Sequence, residues 1–134
     1  MTVQPETSDF FLAQCGTSLD GASFALSPTS FTALTLQNGW LNAPGGTATA
    51  AVRDISGIVH FRGGISTNGT NDEPFILPAG FRPANDVYIP VDPCNGDKGR
   101  LNIQPDGVVV VEAENGDFAQ AQCLTSLDGA SFAP

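Results

Sequence analysis

Lysine is almost missing from this 134-residue chain: Lys98 is the only one, beside four arginines and one histidine. Fourteen acidic residues face those five cationic ones, a net charge of −9. A nucleic-acid partner is excluded on that ground, because phosphate binding needs a basic face. Docking on an anionic membrane surface is excluded in the same way. Charged residues make up only 14% of the chain, where about 25% is usual. No apolar run approaches the roughly 18 residues that would span a bilayer, so membrane insertion is not expected. The start, Met1 to Glu6, has neither a basic segment nor an apolar core, and so does not read as a signal peptide. Long amphipathic runs are missing too. No stretch of 12 or more residues holds apolar positions at helical spacing without Gly or Pro breaking it.

What the chain does have is turn residues, 15 Gly and 10 Pro, and many short β-rich runs. Residues 31–36 precede the turn signal Asn38-Gly39. Residues 52–65 read as one strand, with Ile55, Val59 and Phe61 on one face, Arg53, Ile58, His60 and Arg62 on the other, and Gly57 as a bulge. Phe75 to Leu77 is a short strand, and Pro78-Ala79-Gly80 fits a type I turn with Pro at i+1. Val87, Ile89 and Val91 alternate with Tyr88 and Pro90, and the proline implies an edge. Leu101 and Ile103 alternate with polar neighbours. Pro105-Asp106-Gly107 is a hairpin turn, and the run Val108 to Val111 predicts burial on both faces. Gln122 to Leu127 is expected to pair through Asp128-Gly129 with Ala130 to Phe132. Short strands at this spacing predict an all-β fold, an antiparallel β-sandwich or jelly roll.

One segment occurs twice. Residues 9–25 read DFFLAQCGTSLDGASFA and residues 117–133 read DFAQAQCLTSLDGASFA, differing only at positions 11, 12 and 16 against 119, 120 and 124. An internal repeat defines the structural unit. The economical reading is a tandem array with a unit of about 108 residues. Residues 1–27 are then the closing segment of a preceding unit, residues 28–134 are one β-sandwich domain, and the chain is the C-terminal end of a longer protein. The alternative is that the first copy is a strand of this same domain.

Three cysteines follow the repeat: Cys15 and Cys123 are equivalent, and Cys94 lies between them. If each unit carries a pair, Cys94–Cys123 is the disulfide and Cys15 belongs with a partner in another unit. Three buried free thiols are the alternative.

Chemical constellations are sparse. His60 is the only histidine and has no nucleophile signature around it, so a half-exposed strand position is expected. Residues 92–97 brush the calcium-loop pattern, but Cys94 occupies a ligand position and no Glu closes it. Glu112 and Glu114, at period 2 on a strand, are common on any solvated face and do not make a glycosidase. Phosphate and dinucleotide glycine motifs are missing, so no cofactor, metal or catalytic residue is expected, and the chain is read as a non-enzyme. For sugar binding, aromatics supply a stacking platform and Asn, Asp and Arg the hydrogen bonds. The candidates are Tyr88, then Asn68, Asn71 and Asp72 in the polar loop 66–73, and Asn95 and Asp97 in the next turn. Trp40 is expected in the core.

The run Ser56-Gly57-Ile58-Val59-His60-Phe61-Arg62-Gly63-Gly64-Ile65, then Phe75-Ile76-Leu77-Pro78-Ala79-Gly80-Phe81-Arg82-Pro83, the strands at 87–91 and 99–110 and the closing Ser126-Leu127-Asp128-Gly129-Ala130-Ser131-Phe132 together resemble a known family. The chain is similar to the C-terminal receptor-binding β-domains of bacteriophage tail fibres and baseplate proteins, and of contractile injection systems. The likeness covers residues 50–132, and LPAGFRP and SLDGASF are its specific parts. It implies a trimeric β-sandwich at a fibre tip, in a virion tail or outside the cell, that contacts cell-surface glycans. It assigns no binding residue, because receptor loops differ among such proteins.

Overall fold

The computed structural model describes residues 31–42 and 44–134, with Gln14 and Leu19 besides. Residues 1–27, the proposed closing segment of another unit, and Cys15 otherwise lie outside the described residues. Eleven strands are described: β1 Thr32–Ala33, β2 Trp40–Asn42, β3 Ala51–Ile55, β4 Ile58–Arg62, β5 Gly64–Thr67, β6 Phe75–Ile76, β7 Val87–Val91, β8 Gly99–Ile103, β9 Val108–Ala113, β10 Thr125–Ser126 and β11 Ser131–Phe132. They form three antiparallel sheets, in the orders β1-β3-β4-β11, β10-β5-β2 and β6-β9-β8-β7. The sheets enclose one apolar core, an all-β sandwich. Phe61 is central to it, with ring centroids 6.3 Å from Phe75 and 6.1 Å from Phe132. Trp40 is buried as expected, and its indole Nε1 donates to the Asn71 carbonyl at 2.9 Å.

Several elements differ from the sequence expectation. Residues 52–65 are not one bulged strand. Ser56 and Gly57, with φ of 55° and 82°, form a two-residue turn between β3 and β4, the conformation that suits the right-handed twist of a hairpin. Such a turn pairs Ile55 with Ile58 and reverses the parity of the inward face. Ile55 therefore lies outward, while Val52, Val59 and Phe61 lie inward. The valine run is buried on one face only: Val109 and Val111 are enclosed, and Val108 and Val110 are half-exposed. The turn after Leu77 is shifted by one residue. Pro78 is extended (φ −55°, ψ 148°), and the Phe81 N–H closes the turn on its carbonyl.

The C-terminal segment differs most. Residues 122–127 are not one strand: only Thr125–Ser126 is extended, as β10, and it forms no ladder with residues 130–132. Ala119–Gln122 is a single helical turn, started by Asp117 Oδ1 accepting from the Ala119 N–H at 3.1 Å. Cys123 follows that turn rather than lying in a strand. β10 pairs with β5, and β11 pairs with β4. Asp128-Gly129 therefore carries the chain from one sheet to another.

The corner is pinned at Gly63, between β4 and β5. Its N–H donates to Asp128 Oδ1 at 2.8 Å, and its carbonyl accepts from the Leu127 N–H at 2.8 Å. Gly63 has φ +100°, and a Cβ there would sit 2.5 Å from the Ala48 carbonyl oxygen and 2.6 Å from that of Thr49. Only glycine fits so close an approach.

Candidate functional site

Strand alternation in the third sheet sends Ile89, Leu101, Ile103, Val109 and Val111 into the core. The same alternation turns Tyr88, Arg100, Asn102, Val110 and Glu112 outward. The register sets them in rows: Tyr88 opposite Asn102 opposite Val110, and Pro90 opposite Arg100 opposite Glu112. Tyr88 is therefore a diagonal neighbour of Arg100, within reach of a long side chain. The Arg100 guanidinium carbon lies 4.6 Å from the Tyr88 ring centroid, and Arg100 Nε is ion-paired to Glu112 Oε2. The Tyr88 side chain is nonetheless half-exposed, at 51%. Asn102 Oδ1 is buried and accepts no hydrogen bond from the described residues.

This face runs into an open cleft of about 670 Å³ whose walls include Asp72, Lys98, Arg100, Glu112, Glu114 and Phe118. Backbone hydrogen bonds fix its walls to β9 and to the turn that follows it. The Val111 N–H donates to the Asp72 carbonyl at 2.8 Å, and the Glu114 N–H to the Lys98 carbonyl at 2.9 Å. Three carboxylates and two cations so placed offer both acceptors and donors to a hydroxyl-rich ligand. Glu114 belongs to the 3₁₀ turn Glu114–Gly116 rather than to β9, so Glu112 and Glu114 do not share a strand face, although both reach the cleft.

The other candidate residues lie on nearby loops. Asn68 and Asn71 are exposed. Asn71 Oδ1 accepts from the Glu73 N–H at 2.8 Å, which orders the loop before β6. Asn95 sits at φ 59° in the turn Cys94–Gly96, and the Asp97 N–H closes that turn on the Cys94 carbonyl at 3.1 Å. The helical turn Ala119–Gln122 ties the two loops to one end of the molecule. Gln122 Nε2 donates to the Gly69 carbonyl at 2.8 Å, and Cys123 forms a disulfide with Cys94. Tyr88 stands apart on the sheet face, connected to Asp72 through Arg100 and Glu112 along the cleft wall.

The sequence reading passed over Arg100 and Asn102, while Lys98 belongs to the turn 95–98 that it singled out. The alternation of Arg100 and Asn102 with Leu101 and Ile103 shows that they face outward. Their placement beside Tyr88 depends on the β7–β8 register, which single-strand patterns do not carry. On the first sheet, His60 is half-buried opposite Arg53 and Ser131. Among the described residues, no group of three or more His, Cys, Asp or Glu side chains is placed to hold a metal ion. No helix among them is long and apolar enough to cross a membrane.

Comparison with protein-family models, curated proteins and solved structures found no match. Function is therefore read from the sites themselves.

Proposed function

We propose that this chain is a non-catalytic module that binds cell-surface carbohydrate at the tip of a phage tail fibre or a similar fibre, in a virion tail or outside the cell. The observation that supports this most is the half-exposed Tyr88 ring beside Arg100, Asn102 and Glu112 on a rigid sheet. The apolar face of a sugar ring packs against an aromatic, while hydroxyls take hydrogen bonds from guanidinium and give them to carboxylate. Arg100 is already held by Glu112, so little side-chain freedom remains to be lost on binding. A single shallow site of this kind is weak. Three on one homotrimer gain by avidity, and a trimer would also cover outward Ile76, which is 47% exposed. The disulfide fits an oxidising compartment.

Glycan-array binding followed by titration calorimetry tests the reading. Tyr88→Ala should reduce affinity for a bound glycan by at least about tenfold, the loss of one well-placed aromatic contact, and leave thermal stability unchanged. Equal binding by the variant sinks the Tyr88 site, and a monomeric mass by light scattering sinks the trimer. A second reading, a spacer module of a fibre or surface protein, is favoured by one observation. In the repeated segment, the residues with described contacts serve packing, capping or cross-linking. Lack of binding to any glycan or to host cells would select it.

A further inference from the structure

Residues 117–133 fill a slot in this domain, and the structure specifies what the slot demands. Five residues of the segment are buried there: Ala121, Thr125, Leu127, Ala130 and Phe132. Their counterparts in the first copy, Ala13, Thr17, Leu19, Ala22 and Phe24, are identical. The directional contacts repeat as well. Phe118 meets the Trp40 ring edge-on at 6.0 Å, Gln122 reaches the Gly69 carbonyl, Cys123 bonds to Cys94, and Asp128 accepts from Gly63. Phe10, Gln14, Cys15 and Asp20 are the same residues at the same spacing. The three positions that differ between the copies are 119, 120 and 124, and none of these is buried. The first copy therefore carries every side chain that the slot buries.

Leu19 is 56% exposed, whereas its counterpart Leu127 is fully buried at 0%. The first copy is thus a segment with the slot's chemistry whose central apolar residue is uncovered.

The topology places that copy within reach. β11 pairs with β4, and β1 pairs with β3, in the sheet β1-β3-β4-β11. Phe132 lies opposite Val59 and Thr32 opposite Val52, so the end of β11 and the start of β1 lie at the same end of the sheet, the end with the Ser56-Gly57 turn. Three strand spacings, about 14 Å, separate the two edges. Residues 26–31 connect the first copy to β1, and six extended residues reach about 20 Å.

We propose that residues 9–25 are a second, interchangeable occupant of this slot within the same chain, exchanging with residues 117–133, and that Cys15 then replaces Cys123 as the partner of Cys94. The covalent step is a thiol–disulfide exchange. The Cys15 thiolate attacks the Cys94 sulfur, the Cys15–Cys94 bond forms, the Cys94–Cys123 bond breaks, and Cys123 leaves as a thiolate that takes a proton from water. One disulfide and one thiol are present before and after, so no oxidant is consumed.

The test uses the full chain carrying Cys123→Ala, equilibrated in a glutathione redox buffer, with the unreduced protein mapped by peptide mass spectrometry. The expected result is a Cys15–Cys94 cross-link within a monomer that keeps the emission of buried Trp40. Adding Leu19→Asp, which would force a charge into the site of Leu127, should lower the linked fraction at least about tenfold. Cys94 left as a free or glutathione-capped thiol overturns the proposal. So does a link indifferent to Leu19→Asp, or one found only between chains in covalent dimers. If Cys123→Ala does not fold, Leu127→Asp with all three cysteines intact reads the same exchange. The partner of Cys94 should shift from Cys123 to Cys15, and retention of Cys94–Cys123 overturns the proposal.

Discussion

Gly63→Ala should be among the most damaging single-methyl changes in this domain, and Gly57→Ala is its control. Both glycines have positive φ, +100° at Gly63 and +82° at Gly57, but a Cβ at Gly57 meets nothing within 4 Å. Gly57→Ala therefore pays only backbone strain, about 1–2 kcal/mol. At Gly63 the added methyl would lie 2.5 Å from the Ala48 oxygen and 2.6 Å from the Thr49 oxygen, both backbone atoms. The Ala48 carbonyl cannot simply retreat, because it accepts from the Gly64 N–H at 3.1 Å. Moving Gly63 instead stretches its bond to the Asp128 carboxylate. Strain of about 1–3 kcal/mol, one neutral hydrogen bond at about 1 kcal/mol and one charge-assisted bond at about 1.5–3 kcal/mol sum to roughly 3.5–7 kcal/mol. For a domain of this size that is a fall in Tm of about 17–35 °C, against about 5–10 °C for Gly57→Ala. Urea unfolding followed by Trp40 fluorescence measures both, since the chain has one Trp and it is buried. A Gly63→Ala cost within about 1 kcal/mol of the Gly57→Ala cost would show that the β4–β5 corner does not bear on its neighbours as described.

Further changes test separate parts of the fold. Cys94→Ala removes a cross-link between residues 29 apart in sequence; loop entropy sets the loss at about 3.5 kcal/mol, read as the difference in urea midpoint, and an unchanged midpoint would refute it. Val109→Ala should cost about 2–3 kcal/mol by methyl transfer plus cavity, and Val110→Ala less than half of that, because Val110 is only half-buried; equal costs would mean that both faces of β9 are enclosed. Ser56→Asn should raise stability by about 0.5–1 kcal/mol, because Ser56 holds φ 55° in a turn that favours Asn-Gly; a lower Tm would contradict that turn geometry.

The sequence disclosed the all-β class because its punctuation is chemical. Asn38-Gly39 precedes β2, and Asp106-Gly107 joins β8 to β9, with the Val108 N–H donating to Asp106 Oδ1 at 3.0 Å. Pro90 sits on β7, an edge strand, where a missing N–H is tolerated. What stayed hidden depends on pairing. Ile55 and Ile58 look like members of one alternating strand until a two-residue turn reverses the parity between them. The helical turn at Ala119–Gln122 is too short to leave a helical period, and Asp117 is its only signal. The break between β10 and β11 follows from Gly63, more than 60 residues away in sequence, drawing Asp128 to itself at 2.8 Å. The candidate face was legible only in part. Tyr88 was visible as the single Tyr, but its company of Arg100, Asn102 and Glu112 exists only in the three-strand register.

LPAGFRP and SLDGASF, the motifs behind the fibre-domain expectation, both serve the architecture. In LPAGFRP, Arg82 Nε donates to the Leu77 carbonyl at 2.8 Å and packs against Gly107. In SLDGASF, Leu127, Ala130 and Phe132 are buried, and Asp128 holds the corner at Gly63. Neither motif contributes to the cleft or to the Tyr88 face. Their side chains are needed wherever this sandwich is built, whatever it binds. The candidate ligand residues Asn68, Asn71, Asp72, Tyr88, Asn95 and Asp97 all lie outside both motifs, and all but Asp97 are well exposed. Substitutions at exposed Asn68, Asp72 and Tyr88 should change stability by less than about 0.5 kcal/mol, whereas Asn71 Oδ1 holds the Glu73 N–H and Asn95 holds φ 59°. At the first three positions the frame and the candidate binding surface are therefore energetically separable. The frame is set by the buried and capping side chains, while the ligand is decided by side chains that the frame leaves free to differ.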